Sequence, residues 1–201
     1  MKVLIKNVTV FSPSSPFHGQ NKSIFIDNGI IAKIDNELSI AADKIIDVKG
    51  VTVSIGWMDC FANFCDPGLE FKETLESGSN AAAAGGFTEV MLIPNTQPVV
   101  YNKSQVEYLI QKSKPLPVTI HPIAAITKNA EGKELSEMFD MFNSGAVAFS
   151  DGTNPVQSSG ILQKALEYIL PVNGTIIQLP EDKSIGAYGL MNEGAFSTKL
   201  G

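Results

Sequence analysis

Near the start of the chain Val3, Ile5, Val8 and Val10 sit among polar residues, close to the two-residue period of a half-buried strand. A second run, Ser23 to Ile34, is interrupted by Asp27-Asn28-Gly29. Asn-Gly supplies the positive φ angles of a two-residue hairpin turn, so this run is predicted to be two antiparallel strands. Lys44 to Val53 adds Ile45, Ile46, Val48, Val51 and Val53 around Gly50. Three or four short strands make a small sheet but do not close a sandwich. Some other element is expected to cover their apolar face.

From Val53 the pattern changes to short apolar runs alternating with amphipathic segments. Strands are predicted at Val53 to Asp59, Thr88 to Ile93, Val118 to Ile123, Ala146 to Phe149 and Thr175 to Leu179, each rich in β-branched or bulky residues. Helices are predicted between them. Lys72 to Ala84 ends at Gly85-Gly86, and Ser104 to Lys112 puts Val106, Leu109 and Ile110 on one face. Leu135 to Asn143 is expected to bury Leu135, Met138, Phe139 and Phe142. Ser159 to Leu170 is expected to bury Ile161, Leu162, Ala165, Leu166 and Ile169 before Pro171. A β-α-β-α series implies a parallel sheet with right-handed crossovers. Five strands fall short of the eight in a closed (β/α) barrel, which takes about 250 residues. The expected fold is therefore α/β, an incomplete TIM-type barrel over residues 53–201 preceded by part of a small β-sandwich domain over residues 1–52. A fragment, a shortened relative, or completion by another polypeptide or a second copy would each satisfy the count, because open parallel edges are normally covered.

Composition narrows the partners. The chain is 44% hydrophobic and 18% charged with a net charge of -6, which suits a globular protein. With no Lys/Arg cluster, nucleic acid is not expected as a partner. No apolar run approaches the roughly 20 residues that span a bilayer, and the first ten residues alternate rather than forming a signal peptide. A cytoplasmic location is expected. Cys60 and Cys65 have no second pair in a recurrent zinc spacing and are expected to be reduced thiols. Neither a phosphate-cradling glycine loop nor a nucleophile elbow is present. Glu73/Glu76 and Glu134/Glu137, three apart, are expected to be solvated helix faces.

The stretch Ile55 to Gly68, IGWMDCFANFCDPG, resembles the first barrel strand of the dihydroorotase family of the amidohydrolase superfamily, whose pattern is close to IDxHxHxREPG. Further blocks keep the family's order. They are KETLESGSNAAAAGGFTEVMLIPNTQPV at Lys72 to Val99, IAAIT at Ile123 to Thr127, GKEL at Gly132 to Leu135, GAVAFSDG at Gly145 to Gly152 and PEDKS at Pro180 to Ser184. The resemblance covers nearly the whole chain and corresponds to the N-terminal half of a longer protein. It implies a β-sandwich fused to a metal-dependent barrel that interconverts carbamoyl aspartate and dihydroorotate in pyrimidine biosynthesis. In that chemistry a divalent metal, usually zinc, polarises the amide carbonyl and supplies hydroxide near neutral pH.

At the positions that the resemblance assigns to metal-binding histidines this chain carries Phe61, Asn63 and Leu179. Phenylalanine and leucine have no lone pair to donate, and an asparagine amide is a poor zinc ligand beside imidazole. Cys65 stands at the arginine that grips the substrate carboxylate, with Asp66 as its acidic neighbour, and a thiol does not replace a bidentate guanidinium. Asp151 matches the family's metal-side or catalytic aspartate, and Asn95 the substrate-contacting asparagine of PNTxP. Their alternative roles are a turn residue for Asp151 and a loop-stabilising amide bonded to its own backbone for Asn95. Asp59 is expected to accept backbone hydrogen bonds. His121 is expected to be a satisfied core or helix-facing residue, and Glu181 and Asp182 to be solvated or helix-capping acids. The resulting expectation is a dihydroorotase-like pseudoenzyme without a metal. Its role is structural or regulatory, with aspartate carbamoyltransferase as the partner implied by inactive relatives. The competing expectation is an active hydrolase whose zinc site uses Asp151 and Asn63 with groups from a further C-terminal half.

Overall fold

Asn28 (φ 48°) and Gly29 (φ 82°) both adopt the left-handed conformation, which joins β2 (Asn21–Asp27) to β3 (Ile30–Asp35) as the predicted hairpin. In this computed structural model, which describes residues 1–186, 189 and 191–200, two units are distinguished, Met1–Gly56 and Trp57–Gly201. Gly201, the last residue of the expected barrel stretch, lies outside the described residues.

The first unit is organised on β1 (Lys2–Phe11), in a sheet of order β3-β2-β1-β4. The segment Lys44 to Val53 divides near Gly50 into β4 (Lys44–Asp47) and β5 (Thr52–Ser54). Both run parallel to β1, the first beside Val3–Lys6 and the second beside Thr9–Phe11. Between these two pairings the β1–β2 register shifts, with Asn7 at φ 55°, as a bulge requires. One face of the sheet places Leu4 and Phe25 against Leu38, with Ile40 and Ala42 packed alongside. The other face is an open groove lined by Ile5, Val10, Ile24, Ile26, Ile31 and Ile34. The chain therefore covers one apolar face with its own residues 38–42, while on the second Val10 and Ile24 are buried and Ile31 is exposed.

The second unit is a parallel sheet of order β6-β7-β8-β9, formed by Trp57–Ala62, Phe87–Leu92, Thr119–Ala124 and Ala148–Phe149. Its helices are α1 (Leu75–Ala84), α2 (Lys103–Ser113), α3 (Met138–Asn143) and α4 (Ser159–Ile169), followed by the short α5 (Lys183–Gly186) and α6 (Ala195–Leu200). Val90, Leu92, Ile120, Ala124 and Phe149 pack toward the helices with Leu75, Val106, Leu109, Met138, Met141, Ala165 and Ile169. The opposite face holds a smaller cluster of Ile93, Ile123 and Ala148, with Phe61, Met91 and Ile177 against it. This is the two-faced burial that a parallel sheet demands.

Several boundaries differ from the periodic pattern. The strand expected at Val53 to Asp59 begins at Trp57 instead, because residues 52–54 pair with β1. The helix expected from Lys72 starts at Leu75, where Thr74 and Ser77 form a reciprocal capping box, and α2 is opened likewise by Asn102 and Gln105. Leu135 is not helical. It bridges to Thr127 while Lys128 N–H donates to Glu134 C=O, so α3 starts at Met138. That start buries Met141 and leaves Phe139 exposed. On α4, Ala165 and Ile169 are buried as expected, but Leu166 is exposed, as is Leu170 beyond the helix end. The fifth strand, Thr175 to Leu179, is reduced to one parallel bridge between Phe149 and Ile176. β9 offers only two residues of template, and Gln178 turns to bond the backbone of Val156 at both its N–H and C=O.

Asp66 ties the loop after β6 to two helices. Its side chain is wholly buried and accepts from the N–H of Leu75 (3.3 Å), the Tyr108 hydroxyl (3.0 Å) and Lys112 Nζ (2.8 Å). The Asp66 carboxylate, and then the Tyr108 hydroxyl, hold the Lys112 ammonium above its ordinary range. Lys112 itself is partly exposed, but removing its ammonium leaves the buried Asp66 carboxylate with only neutral donors. Lys112→Met, which keeps the apolar stem, is therefore expected to destabilise the protein by about 2 kcal/mol. Urea unfolding at neutral pH measures this, and Met at position 112 should not change the midpoint if Asp66 is satisfied by its other two donors.

Candidate functional site

At the end of β6 the register jumps, with Asp59 beside Val90 and Ala62 beside Leu92. Three residues on one strand are spanned by two on the other, which is a bulge. The Asp59 carboxylate accepts the N–H of Phe61 (2.9 Å) inside it, the backbone-accepting role expected of Asp59. Phe61 then packs on the face turned away from the helices, with Ile93, Ile123 and Ala148. Asn63 lies beyond the strand, exposed, and its Oδ1 accepts the N–H of Cys65 (2.9 Å). Cys65 takes a left-handed φ of 60°, and both cysteines are free thiols. Leu179 is 36% exposed and lines a shallow groove with Val156, Leu162 and Gln178. The three positions thus supply an aromatic ring, an amide already engaged by backbone, and an aliphatic side chain. Such a set does not fit a zinc ion, which takes imidazole, thiolate or carboxylate.

The loops after β7, β8 and β9 are joined by polar side chains. Asn95 follows β7. Its Nδ2 donates to the C=O of Asp151 (3.2 Å), and its Oδ1 accepts the N–H of Thr153 (3.0 Å). The expected bond of Asn95 to its own backbone is not formed. Thr96 does that work instead, donating its hydroxyl to Pro98 C=O (2.8 Å). The Asp151 side chain, 1% exposed as a residue, crosses to the loop after β8. There Oδ1 accepts the N–H of Thr127 (2.9 Å), Oδ2 bonds the Thr127 hydroxyl, and that hydroxyl accepts the N–H of Gly132 (2.8 Å). Asp151 also begins a backbone turn, its C=O accepting from Asn154 (3.1 Å). Burial pushes its carboxyl above the ordinary range against the lowering effect of the Thr127 hydroxyl and N–H.

The remaining acids and the histidine are separated from this network. His121 lies on β8 with Ile123, facing away from the helices, and its Nε2 meets Glu89 at 2.8 Å. It is partnered, as expected, but it is not helix-facing. Asp182 caps α5, accepting the N–H (2.8 Å) and hydroxyl (2.6 Å) of Ser184, and the hydroxyl, then the N–H, holds its carboxyl low. Glu181 is exposed. Among the described residues no group of three or more His, Cys, Asp or Glu side chains is placed to hold a metal, and no helix is long and apolar enough to cross a membrane. Thr127 and Gly152 close the IAAIT and GAVAFSDG blocks, but neither was expected to take part in the site.

A family model described as Dihydro-orotase-like matches residues 51–201. A dihydroorotase of Syntrophus aciditrophicus is 41% identical over all of this chain and 48% of its own length, and one of Aquifex aeolicus is 39% identical over all of this chain and 47% of its own. The chain spans about half the length of the curated relatives it matches. Among solved structures, an L-hydantoinase (dihydropyrimidinase) from Arthrobacter aurescens superposes with a TM-score of 0.74 at 23% identity, over 93% of this chain and 44% of that one. A crystal structure of a dihydroorotase gives 0.63 at 12% identity, over 87% and 50%. These superpositions show the fold, a partial TIM-type barrel in the second unit with a separate β domain.

The buried carboxyl yields a pH signature. A carboxyl raised by folding binds more protons in the native than in the unfolded state, so its contribution to stability falls as pH rises from its unfolded value of about 3.9 through its native value. Asp151→Asn keeps the shape and does not titrate. Its stability relative to the parent protein should therefore improve between pH 4 and pH 7 in denaturant titrations. A pH-independent difference would show that the Thr127 bonds cancel the effect of burial.

Proposed function

The chain belongs to the dihydroorotase-like family of pyrimidine biosynthesis, and on that premise we propose that it is a catalytically inactive member that serves as a structural or regulatory scaffold. The observation that supports this reading is the environment of Phe61. The position that the family resemblance gives to a metal-binding histidine carries a ring packed with Ile93, Ile123 and Ala148. The loss extends to Asn63, whose Oδ1 holds Cys65 N–H, and to Leu179. The acid that remains, Asp151, uses both carboxylate oxygens on Thr127. A scaffold of this kind acts through its partners. Aspartate carbamoyltransferase is the partner we propose, in the cytoplasm, with the barrel completed by a further chain segment or a second copy.

The competing reading, an active cyclic-amide hydrolase with zinc held by Asp151, Asn63 and groups beyond this half, draws its support from the half-length match to full dihydroorotases. The two are separated by one set of measurements on the complete native protein, with and without aspartate carbamoyltransferase. The scaffold reading expects substoichiometric zinc by elemental analysis, no hydrolysis of dihydroorotate, and co-migration with the transcarbamoylase in size-exclusion chromatography. Stoichiometric tight zinc with turnover abolished by Asp151→Ala overturns it.

A further inference from the structure

The chain holds two Asn-Gly pairs, Asn28-Gly29 and Asn173-Gly174. In such a pair the backbone nitrogen of the glycine can attack the asparagine side-chain carbonyl, because no Cβ stands in its path. Both asparagines are exposed and left-handed, with φ of 48° and 51°, so the two sites differ at the glycine. Gly174 is held in place. Its N–H donates to Ile169 C=O (3.2 Å), and a Cβ built on it would sit 2.1 Å from Ile169 Cγ1. Gly29 is exposed at the tip of the β2–β3 hairpin, with nothing within 4 Å of where its Cβ would be. Among the described residues its N–H has no acceptor. The carbonyl at the same tip is polarised toward attack. Asn28 Oδ1 accepts from the Met1 nitrogen at 2.7 Å, and a donor on that oxygen draws electrons from Cγ and is placed to stabilise an oxyanion forming there.

We propose that Asn28 is a self-modification site, at which the hairpin turn deamidates to aspartyl and iso-aspartyl forms. The Gly29 nitrogen forms a bond to Asn28 Cγ as the bond from Cγ to the side-chain nitrogen breaks. The Gly29 amide proton leaves with that nitrogen as ammonia, and a succinimide ring remains. Water then adds to either ring carbonyl. Cleavage between Gly29 N and Cγ gives an ordinary aspartate at position 28. Cleavage between Gly29 N and the original backbone carbonyl routes the main chain through the side chain as iso-aspartate, one methylene longer. The turn has two residues, and the pairs Asp27↔Ile30 and Ile26↔Ile31 lie beside it, so an added methylene breaks the two-residue geometry that sets their register. β3 is the outer strand, paired in the sheet with β2 alone, and its release bares the β2 edge. The inference concerns the first unit and holds whether the barrel is a scaffold or an enzyme.

The test follows both sites in the native full-length protein, held in warm, mildly alkaline buffer made with heavy-oxygen water. Trypsin cuts after Lys22, Lys33, Lys164 and Lys183, so Asn28 and Asn173 fall in separate peptides, Ser23–Lys33 and Ala165–Lys183. Their mass spectra report the replacement of the side-chain nitrogen by a solvent oxygen. Each native rate is divided by the rate of the same site in urea, which removes the influence of neighbouring sequence. Asn28 should retain a larger fraction of its urea rate than Asn173 by roughly tenfold, the effect of one bonded amide that must first be freed at Gly174. Equal protection at the two sites overturns the proposal, as does the absence of product at Asn28. Gly29→Asn keeps a residue that tolerates the left-handed conformation but sets a Cβ beside the attacking nitrogen. It should suppress product at Asn28 and leave Asn173 unchanged, and an unchanged rate at Asn28 overturns the succinimide route. The converted parent protein should accept methyl groups from a protein L-isoaspartyl methyltransferase and exchange its β3 amide hydrogens faster than fresh protein. Unchanged β3 exchange in methyl-accepting protein overturns the release of the hairpin.

Discussion

A parallel sheet has no face that tolerates water, and this requirement organises the second unit. The helix side is filled by a continuous cluster from Leu75 to Ile169, held in place by helices that start at side-chain caps on Thr74 and Asn102. The opposite side has to be covered by what the strands themselves carry. Phe61, Met91, Ile93, Ile123, Ala148 and Ile177 do so. The ring at position 61 contributes apolar area to this cluster, beside Ile93, Ile123 and Ala148.

The polar groups at the strand ends follow the same logic of internal satisfaction. Buried donors and acceptors need partners, and Asn95, Thr127 and Asp151 provide them for one another and for the backbones of Gly132 and Thr153. Asp66 does the corresponding work lower in the sequence, between Leu75, Tyr108 and Lys112. Both carboxylates lie in stretches that resemble catalytic motifs, and both are engaged in joining secondary-structure elements.

Much of this was legible in the pattern of residues. The Asn28-Gly29 hairpin, the alternation that becomes β7 and β8, and the one-sided apolar spacing of Val106 and Leu109 each encode a local conformation, and each was found where the pattern placed it. The losses were non-local. The helical period extends through Leu135, but a bridge to Thr127 overrides it. The apolar run Thr175 to Leu179 looks like a strand, but its neighbour β9 is two residues long. Ser77 and Gln105 complete their capping boxes only through side-chain geometry. At the site, the residue types at 61, 63 and 179 could be judged for metal binding from their chemistry alone. The bonds from Asn95 to residues 151–153 could not, because they join positions 56 and 58 residues apart.

The first sheet carries a consequence for how the chain emerges during synthesis. β1 is made first, yet it is the strand with the most neighbours, paired with β2 on one side and with β4 and β5 on the other. The hairpin of β2 and β3 is local and can close β1's first edge as soon as residue 35 is free. The second edge closes in two steps, first at Val3–Lys6 when Lys44–Asp47 is free and last at Thr9–Phe11 when Thr52–Ser54 follows. At about 5–20 residues per second, β1 therefore spends a short but finite interval with one bare edge outside the ribosome. That interval ends before Trp57, the opening residue of the parallel sheet, has been joined by any of its own partners.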